Sequence, residues 1–273
     1  MNKNSTVPTY YFQAIRSIIP YATKIERPRV PGNGYCTFIV QDEENNKYMF
    51  KFNDFDMVFK NIQFNKVLRK NGISVPNLEQ HVYKAAWMET YQMMRGRTLY
   101  ESVKDGLPNN MVHNVYHDII EDFIKMSQID IRELPKTEFA EIHQVTQHDV
   151  AANTSKLAAP LFAGAVRIMN HGKKDDLGLY HCGISPKNII VTPDGKYAGL
   201  IDMDDVAISN KNYAFGVMAT QYERLGYNPN ELIDMYEGIS GEGLDHKHLE
   251  RIGKINEFGR WAMWKAGLRQ NQK

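Results

Sequence analysis

The alternation of apolar and polar positions changes character near Gly96. Before it, short runs of β-formers dominate. TFIV (37–40) and KYMFKF (47–52) are rich in β-branched and aromatic residues, and the polar DEENN (42–46) between them predicts a turn. RPRVPGNGYCTFIVQDEENNKYMFKF (27–52) therefore reads as strands separated by turns. Upstream, YYFQAIRSIIPYAT (10–23) predicts a short helix broken near Pro20. Downstream, Phe64, Val67 and Leu68 recur at i, i+3, i+4. Lys66, Arg69 and Lys70 suit a helix C-terminus, and Gly72 suits its stop. A helix over 57–71 is expected there. HVYKAAWMETYQMM (81–94) returns to strand, so residues 25–94 predict the order β-β-α-β-β.

After Gly96 a helical period takes over. VYHDIIEDFIKMSQI (115–129), TSKLAAPLFAGAVRIM (154–169) and the tail from Tyr213 read as helices, with a loop at SGEGLDH (240–246). One stretch departs from this: NIIV (188–191), TPDG (192–195) and YAGLID (197–202) read as a hairpin turning at Asp194-Gly195. A β-rich first lobe, 1–94, and a larger helical second lobe, 95–273, carrying one hairpin, make a bilobal α+β plan.

Composition excludes several classes. Hydrophobic residues are 42% and charged residues 24%, as in an ordinary soluble protein, and 273 residues can bury a core without staples. The formal net charge of +1 gives no global field toward nucleic acid or a membrane surface. Cys36 and Cys182 make no disulfide framework and fit a reducing compartment. The first residues lack a continuous apolar run, and AAPLFAGAVRIM (158–169) is too short to span a bilayer. A cytoplasmic protein without nucleic-acid or membrane partners is the expectation.

The hairpin carries the chemistry. Asn188 opens its first strand and Asp202 closes its second, so TPDG returns the two side chains to the same end. An amide oxygen and a carboxylate are hard ligands suited to Mg²⁺, which phosphoryl transfer uses to bridge phosphates and offset developing charge.

HCGISPKN (181–188) followed by LIDMDD (200–205) resembles the HGDxxxxN … IDF/IDW pair of the aminoglycoside phosphotransferase and choline kinase-like group, which shares the protein-kinase fold. The resemblance covers roughly 25–240, and the hairpin is its most specific part. It implies that His181 is the motif histidine, with a packing role, and that Asn188 and Asp202 hold the metal. It implies that Lys51 in KYMFKF is the phosphate-binding lysine and that VPGNGYCTF (30–38), with Gly32 and Gly34, covers the nucleotide. KVLRKNGISVPNLEQH (66–81) is similar to the family's helix ending. METYQMMRGRTL (88–99) resembles the linker between lobes, where backbone groups from Gln92 to Met94 meet the base. The implied ligands are Mg²⁺ and ATP or GTP, with a small-molecule acceptor.

Two departures matter. The family's catalytic aspartate falls on Gly183, which has no side chain to accept or orient an acceptor proton. General-base catalysis contributes roughly 10²–10⁴-fold, so impaired catalysis is expected. The family's helix glutamate falls on Asn61, leaving Lys51 without that partner unless Asp54 or Asp56 substitutes. The alternative is a pseudokinase, a nucleotide-binding regulatory or protein-binding scaffold. Elsewhere the bland readings lead. Cys182 reads as a buried thiol, Lys60, Lys66, Arg69 and Lys70 as a solvated helix face, Asp204 and Asp205 as loop solvation, and Trp261 and Trp264 as core. Residues 206–273 hold eight acids and nine bases, which gives no support for a polycationic acceptor.

Overall fold

Alternating β-formers build a five-stranded antiparallel sheet in the first third of the chain. The structure is a computed structural model. It describes residues 9–28, 36–134 and 177–265, the side chains of 133 and 256–265 excepted. Its first helix, α1 (Thr9–Ile18), ends just before Pro20. The strands are β1 (Lys24–Glu26), β2 (Thr37–Gln41), β3 (Lys47–Asn53), β4 (Glu79–Tyr83) and β5 (Ala86–Gln92), in the order β1-β2-β3-β5-β4. In the turn after β2, Asp42 Oδ1 accepts the Glu44 and Asn46 amides, and Asn45 takes φ 65°. The short edge strand β1 is additional to the expected order. Gly32 and Gly34 lie outside the described residues.

The period-2 pattern divides β3 between two environments. Phe50 packs with Phe38, Val40 and Met88 beneath Ala14 and Ile15 of α1, closing a small core. Lys51, the next residue, faces the other way. On that side runs α2 (Phe55–Lys70), packed on β4 and β5. Asp54 is its N-cap, accepting the Met57 amide at 2.8 Å. The helix thus starts earlier than the expected residue 57, and Asp54 is committed to capping.

A larger core takes the rest of α2 and the second lobe. Val58, Ile62, Phe64 and Leu68 join the buried residues of the following elements. After the short, partly exposed strand β6 (Arg97–Thr98), these are α3 (Leu99–Lys104), α4 (Asn109–Ser127), β7 (Leu177–His181), β8 (Ile189–Val191), β9 (Tyr197–Leu200), β10 (Val206–Asn210), α5 (Lys211–Glu223), α6 (Pro229–Ser240) and α7 (His246–Lys265). Thr98 and Glu101 form a capping box that starts α3. The expected helix over 154–169 lies outside the described residues, and so do the side chains of Trp261 and Trp264.

The hairpin is present, with two additions. β6 joins it, giving the sheet β6-β8-β9, and β7 pairs with β10 in a second small antiparallel sheet. The β7 and β10 runs are almost wholly buried, so neither shows the in–out alternation that marks a strand. At the turn, Gly195 has φ 82° and its amide donates to Thr192 O at 2.9 Å.

One polar clamp ties the lobes. Asp122 of α4 is buried; its Oδ2 accepts the Ser74 amide and the Tyr197 hydroxyl at 3.1 Å each, and Lys125 donates to its Oδ1 at 2.9 Å. Ser74 O in turn accepts the Leu200 amide at 2.8 Å. The connector after α2 is thereby stitched to both β9 and α4.

Candidate active site

The hairpin ladder sets the site. Ile189 pairs with Leu200, and the Ile201 amide donates to Asn188 O at 2.9 Å. Asn188 and Asp202 therefore leave the hairpin at the same end. Asn188 Nδ2 donates to Gly183 O at 2.9 Å, which turns the loop after β7 over that end and leaves the Asn188 amide oxygen outside that bond. Asp202 adopts φ 70°, ψ 69°, a left-handed conformation uncommon for a residue with a side chain. Such backbones persist where surrounding contacts over-determine them. Here the Asp202 carboxylate is bonded to Lys51, and its carbonyl accepts the Asp205 amide at 3.4 Å.

Lys51 reaches from β3 across to the hairpin end. Its Nζ lies 2.7 Å from Asp202 Oδ1 and 2.5 Å from Asp204 Oδ2, with its side chain only 15% exposed. Burial alone would lower the lysine's pKa; Asp202, then Asp204 and Glu89, outweigh it and raise it. Neither Asp54 nor Asp56 supplies the counter-charge.

Asn61 does not leave a gap where a helix acid was expected. Its Nδ2 donates to Glu89 Oε2 at 2.8 Å and to Asp204 Oδ1 at 2.6 Å. Glu89 is on β5, directly across the ladder from Lys51. An acid at 61 would face Glu89 and Asp204 as a third carboxylate, whereas the amide supplies donors to both. The Asn61 Oδ1 is buried without a partner among the described residues, a sign of how strongly donors are called for here. Burial pushes the Glu89 carboxyl up to about 7, against the pull of Lys51.

Lys60 is a correction. It was expected on a solvated face, but it is buried and donates to Asp204 O at 2.8 Å. Desolvation lowers its pKa. Lys66, Arg69 and Lys70 are exposed as expected. Asp204 is likewise no loop solvation, since Lys51 and Asn61 hold its carboxylate.

His181 is fully buried. The Gly183 amide donates to its Nδ1 at 3.2 Å, so Nε2 carries the proton and donates to Ile201 O at 2.8 Å. The ring thus pins the loop after β7 to the strand that delivers Asp202. Cys182 beside it is buried, and desolvation pushes its thiol up to about 12. Toward the linker, Gln92 is exposed and its amide reaches Asn46, while the Met93 amide donates to Lys47 O at 2.7 Å. Met94 packs against Gly199, whose φ of 149° and close approach to Ser74 O require glycine.

Gly183 is crowded rather than vacant. A Cβ placed there would lie 2.6 Å from Asp205 Cγ and 2.8 Å from Asp205 Cβ. Real side chains do not tolerate either distance. Asp205 is exposed, and its carbonyl accepts the Cys182 amide at 2.9 Å, extending the β7–β10 ladder by one step. Desolvation first, then Asp202 and Asp204, raise its carboxyl's pKa.

The donor chemistry suits a divalent cation. Among the described residues, Lys51 and Lys60 face four carboxylates, those of Asp202, Asp204, Asp205 and Glu89. The Lys51 ammonium already occupies a cation position between two of them. Asn188 and Asp202 add hard oxygens to a cluster that is short of positive charge, so Mg²⁺ fits the residues present.

Solved structures share this fold. An aminoglycoside 3′-phosphotransferase of type VIII superposes with a TM-score of 0.66 at 14% identity, covering 91% of this chain and 99% of that one. Aminoglycoside phosphotransferase APH(3″)-Id from Streptomyces rimosus, in complex with ADP and streptomycin, gives 0.66 at 13% identity, covering 91% and 97%. The GDP and kanamycin complex of APH(2″)-IIIa gives 0.64 at 17% identity, covering 90% and 86%. The chain has the kinase-like fold of the aminoglycoside phosphotransferases. Its sheet-built first lobe and helical second lobe carrying the β8–β9 hairpin are the lobes of that fold. No family model and no curated protein matches the sequence. Among the described residues no helix is long and apolar enough to cross a membrane.

Proposed function

We propose that this protein binds a Mg²⁺-nucleotide, ATP or GTP, between lobes spanning 1–94 and 95–273, and transfers its terminal phosphoryl group to a small-molecule hydroxyl. The observation that carries this reading is Lys51 bridging Asp202 and Asp204 beneath the β3–β5 sheet. A half-buried cation with two carboxylates at the end of a hairpin is the charge arrangement that phosphates and a divalent ion would divide between them. Lys51 would hold phosphate oxygens, and Asn188 and Asp202 would hold the metal. Mg²⁺ bound there would bridge the phosphates and offset the charge that develops in transfer. Gln92 to Met94 would meet the base, and Gly32 and Gly34 would cover the phosphates. Asn61 and Glu89 would keep Lys51 in place, and His181 would hold the loop at 183 to the hairpin.

Gly183 favours a second reading, a nucleotide-binding regulatory or protein-binding module with impaired catalysis. Calorimetric titration with ATP and GTP, with and without Mg²⁺, tests the reading both share. Binding that needs Mg²⁺ and is lost in Asp202→Ala and Lys51→Ala supports it. Binding indifferent to both substitutions, or none at all, would sink it.

A further inference from the structure

We propose that Asp205 supplies, from the turn that leads into β10, the acceptor-side carboxylate that Gly183 lacks. This rests on the phosphotransferase reading and decides between its active and impaired forms. The first observation is volumetric. The Asp205 side chain fills the space into which any residue at 183 would grow, with its Cγ 2.6 Å from a Cβ built on Gly183. A carboxylate is therefore present at that place, delivered from a different Cα.

The second observation is topological. Val206 pairs with His181, and Asp205 O accepts the Cys182 amide at 2.9 Å. The ladder thus fixes Asp205 beside the 182–183 corner. Gly183 N is held by His181 and its carbonyl by Asn188, so both sides of the contact are anchored.

The third observation separates Asp205 from its neighbours. The Asp202 and Asp204 carboxylates are engaged by Lys51 and Asn61. Among the described residues no donor holds the Asp205 carboxylate, and the residue is exposed. It has the access and the lone pairs that an acceptor hydroxyl needs.

In the transfer, the acceptor hydroxyl oxygen forms the new bond to the γ-phosphorus with its own lone pair. The bond from that phosphorus to the β–γ bridging oxygen breaks, and its electron pair leaves with the nucleoside diphosphate. The hydroxyl proton passes to Asp205 and on to solvent.

The test uses the full chain and four variants: Asp205→Asn, Asp205→Gly, Gly183→Asp and the swap Gly183→Asp/Asp205→Gly. Nucleotide affinity, melting temperature and phosphate transfer from Mg²⁺-ATP and Mg²⁺-GTP are read for each, with water and kanamycin as probe acceptors. Asp205→Asn should keep its nucleotide affinity and lose turnover by about 10²-fold or more. Gly183→Asp should melt lower than the parent, because two side chains compete for one space. The swap should recover both melting temperature and turnover, to within about tenfold of the parent. Turnover indifferent to Asp205→Asn overturns the proposal. So does a parent chain that binds Mg²⁺-nucleotide and transfers no phosphate, or a swap whose melting effects simply add. Failure of the parent to bind nucleotide is a different result. It overturns the phosphotransferase reading, and this inference falls with it.

Discussion

At the scale of single residues, the site is organised by where its acids stand. Lys51 has its counter-charges on the hairpin and on β5 instead of on the helix beside it. Glu89 is the member whose protonation is most exposed to test. Its folded-state pKa, about 7, lies above the ordinary carboxylate value of 4.5. Between those values the folded state binds more protons than the unfolded one, so stability falls as pH rises through that window. The contribution is fully present below about pH 4.5 and lost above about pH 7, on the order of 3 kcal/mol. Denaturant melts from pH 4.5 to 7.5 should show a shallower decline in Glu89→Gln than in the parent. Equal slopes would remove Glu89 from the titration. Lys51 on a third strand was legible in KYMFKF. Glu89 was not, because METYQ is an ordinary strand until the β3–β5 register sets Glu89 across from Lys51.

At the scale of elements, the hairpin was the most readable piece. NIIV and YAGL are short apolar runs around a turn whose residues have one conformational use each. The sheet of β7 and β10 was not readable, since LGLYH and VAISN are buried on both faces and carry no alternation. Its register is what sets Asp205 against Gly183, across a sequence gap that no local pattern spans. The clamp through Asp122 was hidden for the same reason. In α4 it reads as one polar residue of an amphipathic helix, yet it takes donors from three different segments. Asp122→Ala would leave the Ser74 amide and the Tyr197 hydroxyl without their buried acceptor. A loss of about 2–4 kcal/mol in unfolding free energy is expected, with Asp122→Asn intermediate. An Asp122→Ala protein as stable as the parent would show that the clamp is not what joins α4, β9 and the connector after α2.

At the scale of the molecule, the two lobes meet through side chains that come from opposite ends of the sequence. Lys51, Lys60 and Asn61 of the first lobe all end on the 202–204 segment of the second. The bilobal plan was legible from the change of period near Gly96, and the shared hairpin end of Asn188 and Asp202 from the turn between them. The closeness of Asp205 to Gly183 and of Glu89 to Asn61 needed the packing. The central claim is that this inter-lobe cluster takes a Mg²⁺-nucleotide. The measurement that tests it most directly is thermal unfolding of the parent and of Asp202→Ala, with and without Mg²⁺, ATP and GTP. Ligand at 100 times its dissociation constant stabilises by about 2.7 kcal/mol, roughly 5–10 °C in a chain of this size. The predicted result is a rise of that order that requires both Mg²⁺ and one of the nucleotides and disappears in Asp202→Ala. A parent whose melting temperature is unmoved by every combination would contradict the account.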